Sequence, residues 1–329
     1  MTLDWQNHHK QGDTRMRLLR IFAAAAVAAL AAAHAAADTF PSRPIRILIP
    51  QGAGGGADIV ARLMAPELQK RLGQPVVVEN RPGGNESIAP DVVAKSPPDG
   101  YTLGVISATH SVNQTSAGIK LPFDPQKAFV PLAPMMSLPM VVVVNSSLGI
   151  DDVKTLVARS KAAPGTFNYG SAGPNTFAGI ATEWFVRVSG ADITGITYGT
   201  KGILQGLVAN DIQMAFGGQA ATAAIVQTGK AKVIAVTSAK RAASLPDVPA
   251  VAETYPAFDV TPWYGFIAPA GTPAPVVEQL NRAIGQAVQA MAPRLLEMGN
   301  EPMVMTPAEF QAFLARDVQA WTRIVEAVK

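Results

Sequence analysis

Short apolar runs alternate with amphipathic segments along most of this chain, and that alternation restricts the fold more than any single motif. The first unit is IRILIPQGAGGGADIVARL, residues 45–63, where an apolar strand leads through a glycine-rich turn into a helix expected over 58–72. PVVVEN and LGVIS are the next strands, with the short helix SIAPDVVAKS between them. Strands that alternate with helices predict a parallel sheet whose ligands lie at the carboxyl ends of the strands.

A second series with the same rhythm begins at MVVVVN, residues 140–145. FNYG, ITGITYG, IQMAFGG and AKVIAVTS are its further strands, and helices are expected at 151–162, near 203–209 and near 220–228. GFIAPA then returns as a strand, and helices at about 273–290 and 307–328 close the chain. The sequence therefore predicts an α/β fold with two doubly wound lobes.

The first 37 residues are predicted to be a leader with a signal peptide. Arg17 and Arg20 precede IFAAAAVAALAAA, and the small residues that follow are typical of a signal cleavage site after Ala37 or Ala35. The apolar run is shorter than the roughly 20 residues that a membrane helix needs. We therefore expect export to the periplasm, and a misplaced start codon would explain the residues before Met16.

Charge and cysteine content exclude several classes of protein. Subtracting the leader's four basic and two acidic residues from 27 and 24 leaves 23 and 22, a net charge of +1 with no basic run. A nucleic-acid partner is therefore not expected. The chain has no cysteine, so it has neither disulfides nor a cysteine that could carry a lipid anchor.

Catalytic side chains are also scarce. Of the four histidines, His8, His9 and His34 belong to the leader, which leaves His110. There is no HExxH metal motif and no G-x-S-x-G nucleophile turn. We therefore expect no enzyme activity, no metal and no cofactor. His110 would either be solvated or capping, or line a ligand cleft.

The glycine-rich turn after the first strand nearly satisfies a dinucleotide fingerprint. Gly52, Gly54 and Ala57 fit G-x-G-x-x-G/A, and Glu79 ends the next apolar run about 20 residues on. Helix N-terminal amides attract any phosphate or carboxylate, however. Export weighs against NAD, a cytoplasmic cofactor, so an exported oxidoreductase is the less favoured alternative.

Several small-residue loops would meet at the carboxyl ends of the strands. In the first half these loops are 52–58, 82–87 and 107–111, and in the second half 170–176 opens onto a helix that Asn175 or Thr176 would cap. Two such halves in an exported chain poor in catalytic groups predict a hinged receptor. A small carboxylate would be held between helix N-termini of both halves.

Six stretches resemble one family in the family's order: FPSRPIRILIPQGAGGGADIVARL, LGQPVVVENRPGGN, VAKSPPDGYTL, LPFDPQKAF, AVTSAKRAASLPDVPAVAE and WYGFIAPAGTPAPVVEQLN. The chain is similar to the Bug or TctC-like receptors of tripartite tricarboxylate transporters, which have a type II periplasmic-binding-protein fold. The resemblance implies two lobes joined by two crossing strands, with 38–139 plus 264–329 in lobe 1 and 140–263 in lobe 2. It also implies delivery of a carboxylate to membrane permease subunits.

The resemblance implies that backbone amides of two loops, 53–58 and 171–176, hold the carboxylate. Asp58 is expected mainly to favour the start of the helix through its dipole. Trp263 and Tyr264 would either line the cleft or pack the crossing strand. The candidate ligand-binding residues are Ala53, Gly54, Gly55, Gly56, Asp58, Asn85, His110, Ser171, Asn175, Thr176 and Gly217.

The chain departs from the family where specificity would lie. Ala57 replaces a frequent Ser or Thr, Pro174 and Phe177 stand in the second loop, and Gly217 stands where many members have an aspartate. The missing carboxylate at Gly217 argues against an amino-acid ligand and favours a carboxylate with a neutral or apolar tail, unless a neighbouring residue compensates. An exported sensory receptor would share this ligand chemistry. No oligomer interface is predicted, so we expect a monomer.

Overall fold

The computed structural model describes residues 40–116, 119–171, 173, 176–198 and 202–328. The predicted leader and its cleavage site therefore lie outside the described residues. All elements below belong to the unit Arg43–Lys329. Its strands, numbered in chain order, are β1 (Ile45–Ile49), β2 (Val76–Asn80), β3 (Thr102–Ser107), β4 (Phe129–Ser137), β5 (Met140–Asn145), β6 (Asn168–Ser171), β7 (Thr194–Thr197), β8 (Met214–Gly218), β9 (Ala231–Val236), β10 (Trp263–Pro269) and β11 (Glu301–Pro302).

The helices connect these strands in the alternation that the sequence predicts. In the described part of the chain no helix has both the length and the apolar character of a membrane span. The helices are α1 (Gly56–Leu72), α2 (Ile88–Ala94), α3 (Ala108–Thr115), α4 (Val153–Ala162), α5 (Phe177–Ser189), α6 (Ile203–Ala209), α7 (Gln219–Gln227), α8 (Val251–Thr254), α9 (Ala274–Glu297) and α10 (Pro307–Ala327).

The strands form two sheets, and the predicted α/β class with two lobes is confirmed. The first sheet has the order β11-β4-β10-β3-β1-β2, and the second has the order β7-β6-β8-β5-β9. β1 pairs in parallel with β2 and β3, and β6 pairs in parallel with β7 and β8, as βαβ units require. β10 and β5, by contrast, pair antiparallel with both of their neighbours.

Some elements differ from the sequence expectation. β4 was not predicted, because Pro131 and Pro134 interrupt its apolar pattern and proline gives no donor to a strand ladder. α1 begins at Gly56, earlier than expected, and α9 continues to Glu297, beyond the expected end. α3 starts directly after β3, where only the end of a strand was expected.

The last helix, α10, packs into the cores of both sheets. Near its start, Phe310 is buried with Trp263 of β10, and their ring centroids lie 5.9 Å apart. Near its end, Trp321 and Ile324 join the cluster around β5 and β8. Phe310 and Trp321 of this helix are therefore core residues. The lobe limits 38–139 plus 264–329 and 140–263 stay a prediction.

Candidate functional site

Asp58 organises the glycine turn between β1 and α1. It is 3% exposed, and its carboxylate accepts hydrogen bonds from the Gly54 amide (2.9 Å), Asn80 Nδ2 (2.8 Å) and Arg62 Nε (2.8 Å). Burial by itself raises the pKa of Asp58. The hydrogen bonds and the nearby Arg62 charge together lower the pKa by more than burial raises it, so it lies below the usual value. The expectation that Asp58 acts mainly through the helix dipole was therefore incomplete, because the carboxylate also closes the turn.

Some backbone amides of the turn already donate hydrogen bonds within the chain and are not available to a ligand. Among the described residues of the turn, the amides of Ala53 and Gly56, by contrast, have no acceptor. An anion at this turn would therefore meet fewer free amides than the sequence suggests. The amides that donate within the chain are those of Gly54 to Asp58, Gly55 to the Gly52 carbonyl (3.0 Å) and Ala57 to Gln51 Oε1 (3.2 Å).

Gln51 and Glu86 connect the turn to the neighbouring loops. Nε2 of Gln51 donates to Oε1 of Glu86 and to the hydroxyl oxygen of Tyr264, each at 2.9 Å. Oγ of Ser107 donates to Oε2 of Glu86 at 2.5 Å. Tyr264 is buried, and this burial raises its pKa to about 12. The sequence analysis did not single out Gln51, Glu86 or Ser107 as site residues.

Asn85 is held in a left-handed conformation beside Glu86. Its φ is 50°, its Nδ2 donates to Asn113 Oδ1 at 2.5 Å, and its carbonyl accepts from Asn113 Nδ2 at 2.7 Å. Both hydrogen bonds fix the loop 82–87 to α3. The side-chain amide of Asn85, a predicted ligand contact, therefore already has an internal partner.

The loop before α5 forms the opposing part of the site. Thr176 caps this helix as predicted, since its Oγ1 accepts from the Gly179 amide at 3.1 Å and donates to the Gly173 carbonyl at 2.8 Å. Oγ of Ser171 accepts from the Gly173 amide at 3.0 Å. The predicted site residue Asn175 lies outside the described residues.

These loops surround a cleft with a volume of ≈ 790 Å³. Of the predicted site residues, Asn85 and Thr176 line it, whereas the nearby Ala53, Gly54, Gly55, Gly56, Asp58 and Ser171 are not among its lining residues. Trp263 and Tyr264 are buried and also line the cleft, so both expectations for them hold. The lining residues are Pro50, Gln51, Gly52, Gly83, Asn85, Glu86, Ser107, Ala108, Thr109, Thr176, Phe177, Ala178, Pro262, Trp263 and Tyr264.

Helix N-terminal amides supply the hydrogen-bond donors of this cleft. Among the described residues, the amides of Phe177 and Ala178 in the first turn of α5 have no acceptor. Gly56, the first residue of α1, does not line the cleft but lies close to Tyr264, since a Cβ placed on it would be 3.3 Å from the Tyr264 hydroxyl oxygen. The N-terminus of α5 therefore opens on the cleft, whereas that of α1 lies next to the lining residue Tyr264.

His110 does not contribute to this cleft, which corrects the sequence-based assignment. Its ring is buried and packs against Phe123 and Phe129, with centroid distances of 6.0 Å in each case. Burial lowers its pKa to about 4, so the imidazole is neutral at physiological pH. The His110 side chain points from α3 into the cluster formed with Phe123 and Phe129. Because the ring is buried there, the prediction of a solvated His110 is also wrong.

Gly217 also lies outside the cleft lining. It is part of β8 and pairs with Val141 of β5. A Cβ added to it would lie 2.6 Å from the methyl carbon of Thr222. An aspartate at this position would therefore require the Thr222 side chain to move, and Gly217 itself offers no side chain to a ligand.

The crossing strand is fixed to the last helix beside the cleft. Nε1 of Trp263 donates to Oδ2 of Asp317 at 3.0 Å. Burial raises the pKa of Asp317 to about 6. Trp263 therefore connects the cleft to α10, the helix that packs on both sheets. Among the described residues, no group of three or more His, Cys, Asp or Glu side chains could hold a metal ion.

Comparisons with known proteins agree with this architecture. Residues 60–329 match the model of the tripartite tricarboxylate transporter family receptor. Protein BugT of Bordetella pertussis is 35% identical over 321 residues, which cover 94% of this chain and 96% of BugT. The structure of Rpa4515 from R. palustris with adipate shares 27% identity at a TM-score of 0.76, over 88% of this chain and 98% of that one. The periplasmic binding protein BugD shares 29% identity at a TM-score of 0.72, with 88% and 98% covered. This chain therefore belongs to the receptor family of the tripartite tricarboxylate transporters, whose members are periplasmic solute-binding proteins.

Proposed function

We propose that this protein captures a small organic carboxylate between its two lobes in the periplasm and delivers it to the membrane subunits of a tripartite transporter. The observation that carries the proposal is the first turn of α5, whose free amides of Phe177 and Ala178 open on a cleft that Gln51 and Gly52 also line. The adipate in the related structure supports a carboxylate as the ligand class. Cleavage of the leader near Ala37 would release the receptor without a lipid anchor.

The cleft can bind a carboxylate through backbone groups. The free amides of Phe177 and Ala178 belong to the second half of the fold, and Gln51 and Gly52, which also line the cleft, belong to the first. A carboxylate that bridges the two halves would gain charge-assisted hydrogen bonds of roughly 1.5 to 3 kcal/mol each and would favour lobe closure. The lobes would be 38–139 plus 264–329 and 140–263, joined by the two crossing strands.

Two alternatives share part of this chemistry. A sensory receptor would bind the same ligand and differ only in its partner. An NAD-dependent oxidoreductase would use Glu79 to bind ribose, but this carboxylate lies near Arg46 and Arg81, at 3.7 Å and 3.3 Å. The Gly54 amide, which a pyrophosphate would need, already donates to Asp58.

A thermal-shift titration tests the proposed function. The chain from Asp38, refolded to remove bound ligand, would be titrated with mono-, di- and aromatic carboxylates, amino acids and NAD. A ligand at 100 times its Kd adds about 2.7 kcal/mol of stability, so we expect at least one carboxylate to raise Tm clearly. A Tm that rises with NAD alone would contradict the receptor function and favour the oxidoreductase.

A further inference from the structure

Glu86 gives the cleft a charge that a simple carboxylate receptor does not need. We propose that Glu86 selects the second functional group of the ligand, and that the cleft binds a carboxylate that also carries an ammonium group. The inference rests on the proposed function, because it assigns the ligand's carboxylate to the helix amides. It adds that an amino carboxylate is bound in preference to a dicarboxylate.

The first support is the charge of the cleft. Among the described residues that line it, Glu86 is the only one with a charged side chain, and no lysine or arginine balances it. A dicarboxylate would place its second negative charge in the same cleft as the negative charge of Glu86, whereas a zwitterion would pair one charge with the helix amides and the other with Glu86. The described part of the lining therefore complements a zwitterion.

The second support is the way the carboxylate is held. Glu86 accepts one hydrogen bond from Gln51 at one oxygen and one from Ser107 at the other. An ionised carboxylate offers about four acceptor positions, so two remain for a donor from the ligand. Gln51 and Ser107 fix the orientation of the side chain without exhausting its capacity to bind an ammonium group.

The third support is the backbone. Gly83, Gly84, Asn85 and Glu86 all have positive φ, with 65° at Glu86. A non-glycine residue in this region is uncommon and strained, and such strain clusters at ligand sites. Glu86 is kept in this conformation by tertiary contacts to the turn at Gln51 and to the end of β3.

This assignment changes what the glycine at position 217 implies. By sequence alone, the missing carboxylate at Gly217 argues against an amino-acid ligand and favours a neutral or apolar tail, unless a neighbouring residue compensates. Glu86 supplies a carboxylate from the other half of the fold, and it lines the cleft, which Gly217 does not. The compensating residue is therefore in the loop 82–87.

Calorimetric titration with matched probes tests the proposal. The full chain, purified from the periplasmic fraction and refolded to remove ligand, would be titrated with an unsubstituted acid, an amino acid and a diacid of equal carbon number. Sets of three, four and six carbons would be used, including hexanoate, 6-aminohexanoate and adipate. We expect the amino carboxylate of at least one set to bind about tenfold to a hundredfold more tightly than its diacid.

Two variants separate recognition from a purely structural role. Glu86→Gln keeps the size of the side chain, and Glu86→Gly suits the positive φ and removes the carboxylate. Both should weaken the amino carboxylate about tenfold or more and strengthen the diacid. Glu278→Gln makes the same change on an exposed position of α9 and should leave the order of affinities unchanged.

The outcomes are distinct. If the diacid or the unsubstituted acid binds most tightly in every set, the assignment of Glu86 is overturned while the carboxylate receptor stands. The same conclusion follows if both Glu86 variants keep the wild-type order of affinities, because Glu86 then only braces the loops. If none of the carboxylates binds, the proposed function itself fails.

Discussion

Replacing Asp58 by alanine should lower the free energy of unfolding by about 3 kcal/mol or more, because several donors lose their shared acceptor. The Gly54 amide and Asn80 Nδ2 lose a buried carboxylate at 2.9 Å and 2.8 Å, and Arg62 loses its ion pair. Urea denaturation of the refolded chain at neutral pH measures the effect. Carboxylate affinity should fall as well, since the turn that positions Gly56 is no longer closed.

The pH dependence of this effect follows from the lowered pKa of Asp58. A carboxyl group whose pKa is depressed in the folded state contributes its stability above the unfolded-state value and loses it as pH falls through the folded-state value. The difference between wild type and Asp58→Ala should therefore be full at pH 6 and shrink at pH values below about 4.

An exposed ion pair provides the control for Asp58. Asp151 pairs with Lys232, and its side chain is 73% exposed. Asp151→Ala should cost less than about 1 kcal/mol. Equal losses in the two variants would contradict the role of Asp58 as the residue that closes the turn.

Local patterns in the sequence were enough to predict most of the fold. The alternation of apolar strands with helices predicted β1, β2 and β3, and the small residues before α5 predicted a cap at Asn175 or Thr176, of which Thr176 is the observed cap. These features depend on contacts between residues close in the chain. β4 could not be predicted from local sequence. Its prolines are accommodated by irregular pairing with β10, a strand more than 100 residues later in the chain.

The site was less predictable, because its groups are placed by distant parts of the chain. Asp58 depends on Asn80, and Glu86 depends on Gln51 and Ser107, which come from separate loops. The sequence GGNES indicates only a polar turn, and nothing local shows that its glutamate enters a cleft. Phe123 and Phe129 follow His110 in the sequence and could have indicated that its ring is packed among aromatic side chains. Its position just after a strand instead suggested a ligand contact.

The substitution Gly179→Ala, in the first turn of α5, tests whether the N-terminus of this helix forms part of the binding site. A Cβ at this position would lie 2.1 Å from the Gly173 carbonyl oxygen and 3.0 Å from Oγ1 of Thr176. Gly179→Ala should therefore displace the loop before the helix and destabilise the fold by about 2 to 3 kcal/mol, although alanine favours helices. The amides of Phe177 and Ala178 would move with it, so carboxylate affinity should fall about tenfold or more.

Gly285 provides the matched control, because it lies inside α9 with room for a methyl group. Its added Cβ would make an ordinary contact of 3.5 Å with Val304. Gly285→Ala should therefore stabilise the fold by up to about 1 kcal/mol through helix propensity and leave binding unchanged. Urea denaturation and carboxylate titration of both variants separate the effect of helix propensity from the effect of the steric clash at Gly179. If Gly179→Ala were as stable as Gly285→Ala and bound ligand normally, the α5 N-terminus would not be a tightly fitted part of the site.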